Sequence, residues 1–465
     1  MTDQPEPYSE RPATERSLTA RPRAAVARTF RSLHTRNYRL FFIGQIVSMS
    51  GTWMQSVAQG WLVYRLTGSA FALGITAALQ FGPVLFVGAW GGLLADRVDK
   101  RHLLMTTQSL ATMLALVLGV LTATGVVQVW MVYLLAVFTG CVNAIDNPSR
   151  QSFVFEMVGR EDLANAVGLN SVIINSSRIV GPALAGLLIA TVGLSPCFFA
   201  NAASFLFVIG ALVAMRPGEL HRGQPVRRAK GQLREGLRYA WTTPELRVPL
   251  LLMAAVGTFG YNFSVILPVM AREAFGRGGG TYGALASTMG AGALIGALVV
   301  AGRARPTRRL LVGSTLAFGA CAVLVGLAPT LPLALAALVP MGGFAIVFVS
   351  TTNALLQLNS AAELRGRVMA LWSVVFLGST PIGGPLTGAL ASWFGPRVTL
   401  GAEGVVTVLS GLAAWAALRR RALRAGAAER VVGLPENPEP DELLACEPLS
   451  SGDEQPGSGQ PPSAP

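Results

Sequence analysis

Gly88-Ala-Trp-Gly-Gly-Leu-Leu-Ala-Asp-Arg-Val-Asp-Lys-Arg101 begins as the tail of an apolar run and ends with five charged residues in six positions. A new apolar run starts at Leu103, so the charges occupy a very tight loop between two hydrophobic segments. A helix that satisfies its own backbone inside hydrocarbon leaves the bilayer at such a point, on the side where basic residues collect. How often this pattern returns along the chain decides the fold.

It returns throughout. Crossing a hydrocarbon core of about 30 Å takes about 20 largely apolar residues. The 465 residues, 52% hydrophobic and 13% charged with a mean hydropathy of +0.50, supply a dozen such runs. This composition excludes a soluble globular domain and predicts an all-α, polytopic membrane protein. The expected spans lie at about 38–63, 70–95, 102–124, 129–149, 166–192 and 196–215, then at about 248–271, 281–302, 309–328, 331–353, 367–392 and 398–418. Twelve spans in two six-helix sets imply five regions: a disordered tail over 1–36, a bundle over 37–216, a linker over 217–247, a second bundle over 248–420 and a disordered tail over 421–465. Leu233, Leu237 and Trp241 recur every four residues in the linker, which gives an amphipathic helix whose stripe packs on protein or lipid.

The net charge of +13 does not form a nucleic-acid patch, because its carriers sit in alternate loops. Arg28, Arg31 and Arg36 precede the first run, Arg97, Lys100 and Arg101 follow the second, and Arg150 and Arg160 follow the fourth. Later clusters include Arg227, Arg228 and Lys230, then Arg308 and Arg309, then Arg365 and Arg367, and finally Arg419, Arg420 and Arg421. The opposite loops hold little beyond Arg65, Arg272, Arg277 and Arg397, so the positive-inside rule places both termini in the cytoplasm. Lysine occurs only at 100 and 230 amid abundant Ala, Gly and Arg, which suggests GC-rich coding DNA and a bacterial plasma membrane. No signal peptide is read in the first 36 residues. Cys141, Cys197, Cys321 and Cys446 are too scattered for a disulfide framework or a metal site.

The halves echo one another. Setting Arg97 against Arg305 pairs Lys100 and Arg101 with Arg308 and Arg309, and Asp96 with Ala304. Asn147 and Gln151 match Asn353 and Gln357, with Asp146 against Thr352, and Gly181-Pro182 matches Gly384-Pro385. Duplicated halves are how many transporters frame a central site that opens alternately to each side. In both comparisons the acid survives only in the first half.

Gly92-Leu-Leu-Ala-Asp-Arg-Val-Asp-Lys-Arg101 resembles the loop between helices two and three of the major facilitator superfamily, Gly-x-Leu-Ala-Asp-Arg-x-Gly-Arg-Arg, with Asp99 in place of the second glycine. The resemblance implies that Asp96, among Gly92, Arg97, Lys100 and Arg101, faces the start of helix eleven near Arg365–Arg367 and locks the cytoplasmic side. Asp146, at the inner end of span four, joins Arg97 or Arg150 in that charge cluster. Gly168, Ser177, Gly181, Pro182, Ala185 and Gly186 resemble the superfamily's antiporter motif in helix five, each departure small for small, and imply export. Pro182 removes a helical hydrogen bond and the glycines permit close approach. Arg36-Asn-Tyr-Arg-Leu-Phe-Phe-Ile-Gly-Gln45, Asp146-Asn-Pro-Ser-Arg150 and Arg178-Ile-Val-Gly-Pro-Ala-Leu-Ala-Gly186 resemble the bacterial transmembrane secretion effector group, which includes the enterobactin exporter.

Two intramembrane charges stand out. Arg178 is about 18 Å into its span at 1.5 Å per residue, where it either faces a cavity or snorkels to the surface. Glu403, about 9 Å inside span twelve, either takes up a proton in a buried site or pairs with Arg397. Met131–Ala144 carries no arginine of the kind the superfamily's fourth helix uses for proton coupling. Gln45, Trp53, Gln55, Gln59, Tyr261 and Asn262 are candidate cavity residues for an amphipathic substrate, or else cement helices together.

The sequence therefore reads as a monomeric secondary exporter of a siderophore-like or drug-like small molecule, working by alternating access in the lipid bilayer and driven by proton antiport. It carries no phosphate loop, and no cofactor and no nucleic-acid partner are expected. The competing readings are an importer and a non-transporting sensor or assembly partner. The latter's binding element would be the acidic tail of Glu436, Glu439, Asp441, Glu442, Asp453 and Glu454. An enzyme is disfavoured, because no nucleophile, base and orienting group cluster in the sequence.

Overall fold

The computed structural model describes residues 31–221, 232–302, 306–361 and 363–432, with the side chains of 89–96, 232–236 and 421–432 outside that set. Every long element is a helix: α1 Arg36–Thr67, α2 Ala70–Arg97, α3 Lys100–Ala123, α4 Val129–Val158, α5 Leu163–Thr191 and α6 Ser195–Ala214. A connecting helix, Gln232–Thr242, precedes α7 Pro244–Ala274, α8 Gly279–Ala301, α9 Arg308–Leu327 and α10 Leu331–Leu358. The remaining helical stretch, Arg365–Val432, is two helices that meet at Gly395, whose φ of 78° only glycine adopts readily. They are α11 (365–394) and α12 (396–432), and Pro396 opens α12 with the φ a first turn requires.

Ten segments among the described residues are long and apolar enough to cross a membrane. The last of these contains both α11 and α12, and α1, more polar than that criterion admits, packs as a full member of the bundle against α5 and α6. The chain is thus an all-α protein of twelve membrane helices. Residues to Trp415 form one compact unit; in the second, Ala416–Pro465, the backbone is helical to Val432 and so outlasts the end expected at 420.

Local chemistry sets the element ends. Asp99, the acid in place of the loop glycine, is the N-cap of α3 and accepts from the His102 amide at 3.1 Å. Thr307 caps α9 in the same way through the Leu310 amide at 3.1 Å. The expected boundaries err most at the inner ends of two helices: α4 continues through Pro148 to Val158 rather than ending near 149, and α12 continues to Val432 rather than ending near 418. A proline costs one backbone bond, which a membrane helix can absorb where Ser and Thr side chains take up the freed carbonyls. Pro148 frees the Ala144 carbonyl, four residues back, and the Ser149 hydroxyl donates to the neighbouring Ile145 carbonyl at 2.7 Å.

Helices α1, α3, α4, α5 and α6 pack around Phe41, Leu104, Phe153, Met157, Leu169 and Leu212 at the end carrying the basic loops. In the second half the core at that end is Leu246, Leu250, Leu356, Val368 and Leu371, and the connecting helix docks on it through Ala240. Apolar side chains such as Phe86, Leu206, Phe207 and Leu298 point outward, as lipid contact requires, and Trp130, Trp393 and Phe394 stand at the remote end.

Among the described residues, the close approaches between the halves lie from mid-depth to that remote end. A Cβ on Gly283 of α8 would strike Gly186 and the Pro182 carbonyl of α5. Gly74 of α2 meets Gly384 and Pro385 of α11, and Gly388 meets Ala70. Tyr64 donates to Glu273 at 2.7 Å across the same seam. Small residues carry these contacts because lipid supplies no hydrophobic force between helices and tight backbone packing must replace it.

Candidate functional site

Two cavities lie within the helical unit, and Trp53 and Ser56 of α1 line both. The first, about 310 Å³, is enclosed by α1, α2, α3, α4 and α6. Its wall is rich in amides: Gln55, Gln59, Gln80, Gln108, Asn143, Asn147 and Asn201. Glycines bring the helices close enough for these groups to meet, Gly51 against Asn201 and Ser204, and Gly140 against the Gln80 carbonyl. Gln55 accepts from Asn201 at 2.7 Å, and Asn201 from Ser204 at 3.0 Å.

Asp146 is the centre of this cavity and only 3% exposed. It accepts from Thr107 Oγ1 at 2.7 Å and Gln108 Nε2 at 2.9 Å, and forms an ion pair with Arg150 Nη2 at 3.1 Å. Arg150 also donates to Asn147 at 2.6 Å and to Gln45 at 3.3 Å. A buried ion pair repays its desolvation only when the remaining hydrogen-bonding capacity is used, and this one uses it.

This arrangement corrects two expectations. Asp146 belongs to the cavity rather than to the loop cluster, although of its two expected cations it does pair with Arg150 while Arg97 is exposed. Met131–Ala144 holds no arginine, but α4 runs past that stretch and past the end expected at 149 to Val158, which brings Arg150 to the cavity wall. Ending the fourth span near 149 hid both.

The second cavity, about 130 Å³, lies between α1 and α5 of the first half and α7, α8 and α10 of the second. Arg178 lines it from near the middle of the 29-residue α5, with its guanidinium carbon 5.2 Å from the Trp53 ring centroid and Tyr261 within interaction range. The snorkelling alternative therefore fails. Tyr261 comes from a break in α7 between Gly260 and Phe263, and its ring packs among Phe263, Phe318 and Phe376. Gly290 of α8 presses on the Arg178 carbonyl, which fixes this part of α5 against the opposite half. Arg178 Nε is buried without a partner, and among the described residues no carboxylate stands within ion-pair distance.

The antiporter-like residues make up the seam beside this cavity. Ser177 accepts from Ser50 at 3.2 Å, Gly181 meets the α1 backbone at Ser50 and Met54, Pro182 lines the cavity, and Gly186 meets Gly280 and Gly283. Gly168 stands apart from this seam, since a Cβ added there would meet open space. The helix stays continuous through Pro182.

The loop bases bind within their own half. Lys100 pairs with Glu156 at 2.5 Å, and Arg101 donates to the Leu212 and Val213 carbonyls at 2.6 and 3.2 Å, capping α6. The counterpart pair in the second half, Arg308 with Glu245, is looser at 3.7 Å. Gly92 and the Asp96 side chain lie outside the described set, as does the acidic tail.

Of the expected cavity residues, Trp53, Gln55, Gln59 and Tyr261 line a cavity and Gln45 stands behind Arg150. Asn262 does not: the break in α7 turns it toward Gly383, where it donates to the Thr258 carbonyl at 2.7 Å. Glu403 is 4% exposed and accepts from Thr387 away from both cavities, while Arg397 binds the Ala328 and Ala274 carbonyls instead. Gln80, Gln108, Asn143 and Asn201 went unnoticed in the sequence, although an amide inside an apolar run is itself the signal.

The sequence matches the family model described as transmembrane secretion effector over residues 27–446. It is 24% identical over 386 residues to the staphyloferrin A transporter of Staphylococcus aureus, covering 80% of this chain and 93% of that one. It is 27% identical over 388 residues to the multidrug efflux pump Tap of Mycolicibacterium fortuitum, covering 81% and 94%. With the enterobactin exporter EntS of Shigella boydii it shares 26% over 387 residues, covering 81% and 90%. The structure superimposes with a TM-score of 0.67 at 15% identity on a bacterial homologue of the human lysosomal transporter Spinster in an inward-facing, unoccupied conformation, covering 82% of this chain and 96% of that one.

Proposed function

The chain belongs to the transmembrane secretion effector family of the major facilitator superfamily, a family of transporters and not of enzymes, and from that premise we propose that it exports a small amphipathic organic molecule, siderophore-like or drug-like, by alternating access coupled to inward proton flow. The observation that carries this reading is the seam: the halves interlock from mid-depth to the remote end, around cavities that share Trp53. Rocking one half against the other about such a seam exposes the same cavities to either side in turn. The positive-inside rule makes the basic end cytoplasmic, with both termini there.

Asp146 is the proton carrier in this reading. It borders a cavity, and protonating it would dissolve the pair with Arg150 and free a cation beside the substrate path, which ties occupancy of one group to that of another. A proton gradient thus replaces any nucleotide or cofactor, and a single chain suffices.

The test uses inside-out vesicles with an imposed pH gradient and a panel of fluorescent drugs and ferric-chelator precursors. Wild-type protein should move at least one compound into the vesicles in a gradient-dependent way, and Asp146→Asn should abolish the dependence. Movement in the opposite direction would make the chain an importer. No movement of any compound by folded protein would favour the non-transporting reading.

A further inference from the structure

A lone arginine near the bilayer midplane is costly, by about 3 kcal/mol on insertion scales, and is kept only where it has a partner or a task. Arg178 has no carboxylate partner among the described residues, and its Nε lacks even a hydrogen bond. What it has is a position. Trp53 covers one face of the guanidinium and Tyr261 stands within hydrogen-bonding range of it, leaving Nε to donate, and Gly290 holds the backbone beneath it. Apart from Ser56 and Ser264, the rest of the cavity wall is apolar or aromatic, with Tyr261, Phe263 and Tyr282 beside aliphatic side chains such as Leu267 and Met289.

We infer that this cavity binds an organic anion bearing an aromatic ring, with the anionic group on the Arg178 edge and the ring among the aromatic side chains of α7 and α8. Planar guanidinium donors match a carboxylate or a comparable oxyanion bidentately. The apolar wall supplies the binding free energy of the ring, and the low dielectric strengthens the charge contact. A neutral ligand of the same shape leaves Arg178 unpaired and forgoes that contact. The inference rests on the reading of this cavity as the exporter's substrate site, and it narrows the substrate class from amphipathic to anionic.

The test measures equilibrium binding of 2-naphthoate and its neutral isostere 2-naphthamide to the full chain in lipid nanodiscs. The wild type should bind the acid at least ten-fold more tightly than the amide. Arg178→Gln should lose that preference while still binding both weakly, and Arg178→Lys should retain part of it. Equal binding of acid and amide to the wild type, a preference that survives Arg178→Gln, or no saturable binding of the acid would each overturn the inference. Chloride or sulfate competing as well as unlabelled naphthoate would also overturn it, by making this a site for inorganic anions. Should Arg178→Gln fail to fold, the wild-type comparison decides alone. Because binding is read without transport, failure here leaves the vesicle experiment to judge export separately.

Discussion

Trp53 lines both cavities, yet the two cavities keep their charges in different ways. Asp146 is surrounded by two donors and a counter-ion, all from its own half of the molecule. Arg178 has an aromatic face, a nearby phenol and an unsatisfied Nε, with the opposite half as its other wall. A satisfied pair is self-contained and changes only when a proton changes it. An unsatisfied cation is completed from outside. The two sites thus suit two tasks of a coupled carrier, and the contrast should show as opposite signs when either charge is removed.

The largest effect is expected at the paired site. Asp146→Ala leaves Arg150 buried without its counter-ion and strips an acceptor from Thr107 and Gln108, and breaking a buried pair this way costs about 3–5 kcal/mol. Thermal unfolding in nanodiscs should show a large drop in midpoint. An unchanged midpoint would mean that water already screens the pair and that the contrast is false.

Arg178→Met should move the other way. Replacing an unpaired charge with an apolar side chain of similar reach relieves a penalty of about 1–3 kcal/mol, so the midpoint should rise while the acid-over-amide preference disappears. A fall in midpoint would make Arg178 a structural residue and would break the comparison at its second term.

Much of this was visible in the sequence, for identifiable reasons. The twelve helices follow from hydropathy, because bilayer thickness fixes their length from outside the protein. The depth of Arg178 follows from counting residues along a helix. Asp146 was misplaced because the fourth span was ended near 149, and only packing reveals that α4 runs on through Pro148 to Val158. Which amides converge is a matter of helix rotation, set by contacts such as Gly51 on Ser204 and Gly140 on Gln80 that lie far apart in sequence. Asn262 was assigned to the cavity with Tyr261 for the same reason: the break in α7 that separates them has no clear sequence mark.

Trp53→Phe tests the shared wall. A phenyl ring is a poorer partner for a guanidinium than an indole, and the exchange should cost about 0.5–1 kcal/mol in stability. It should loosen naphthoate binding without altering the Asp146 pair, so gradient dependence should survive in vesicles. If coupling is lost as well, Trp53 links the two sites instead of merely separating them.

The smallest effect is expected at Glu403, a third buried group that obeys neither pattern. Its carboxyl is held by Thr387 and borders neither cavity, and Arg397, its neighbour in sequence, is engaged with the Ala328 and Ala274 carbonyls. Glutamine has the same shape and offers the same acceptor oxygen, so Glu403→Gln should preserve the bond from Thr387 and change stability by less than about 0.5 kcal/mol. Burial alone would nominate Glu403 as a proton carrier as strongly as Asp146. The difference is access, since a carrier must meet the substrate path and exchange with each side as the halves rock. Gradient-driven movement should therefore persist in Glu403→Gln vesicles and vanish in Asp146→Asn vesicles. The reverse outcome would move proton coupling into the second half of the molecule and leave the amide-lined cavity as a binding site alone.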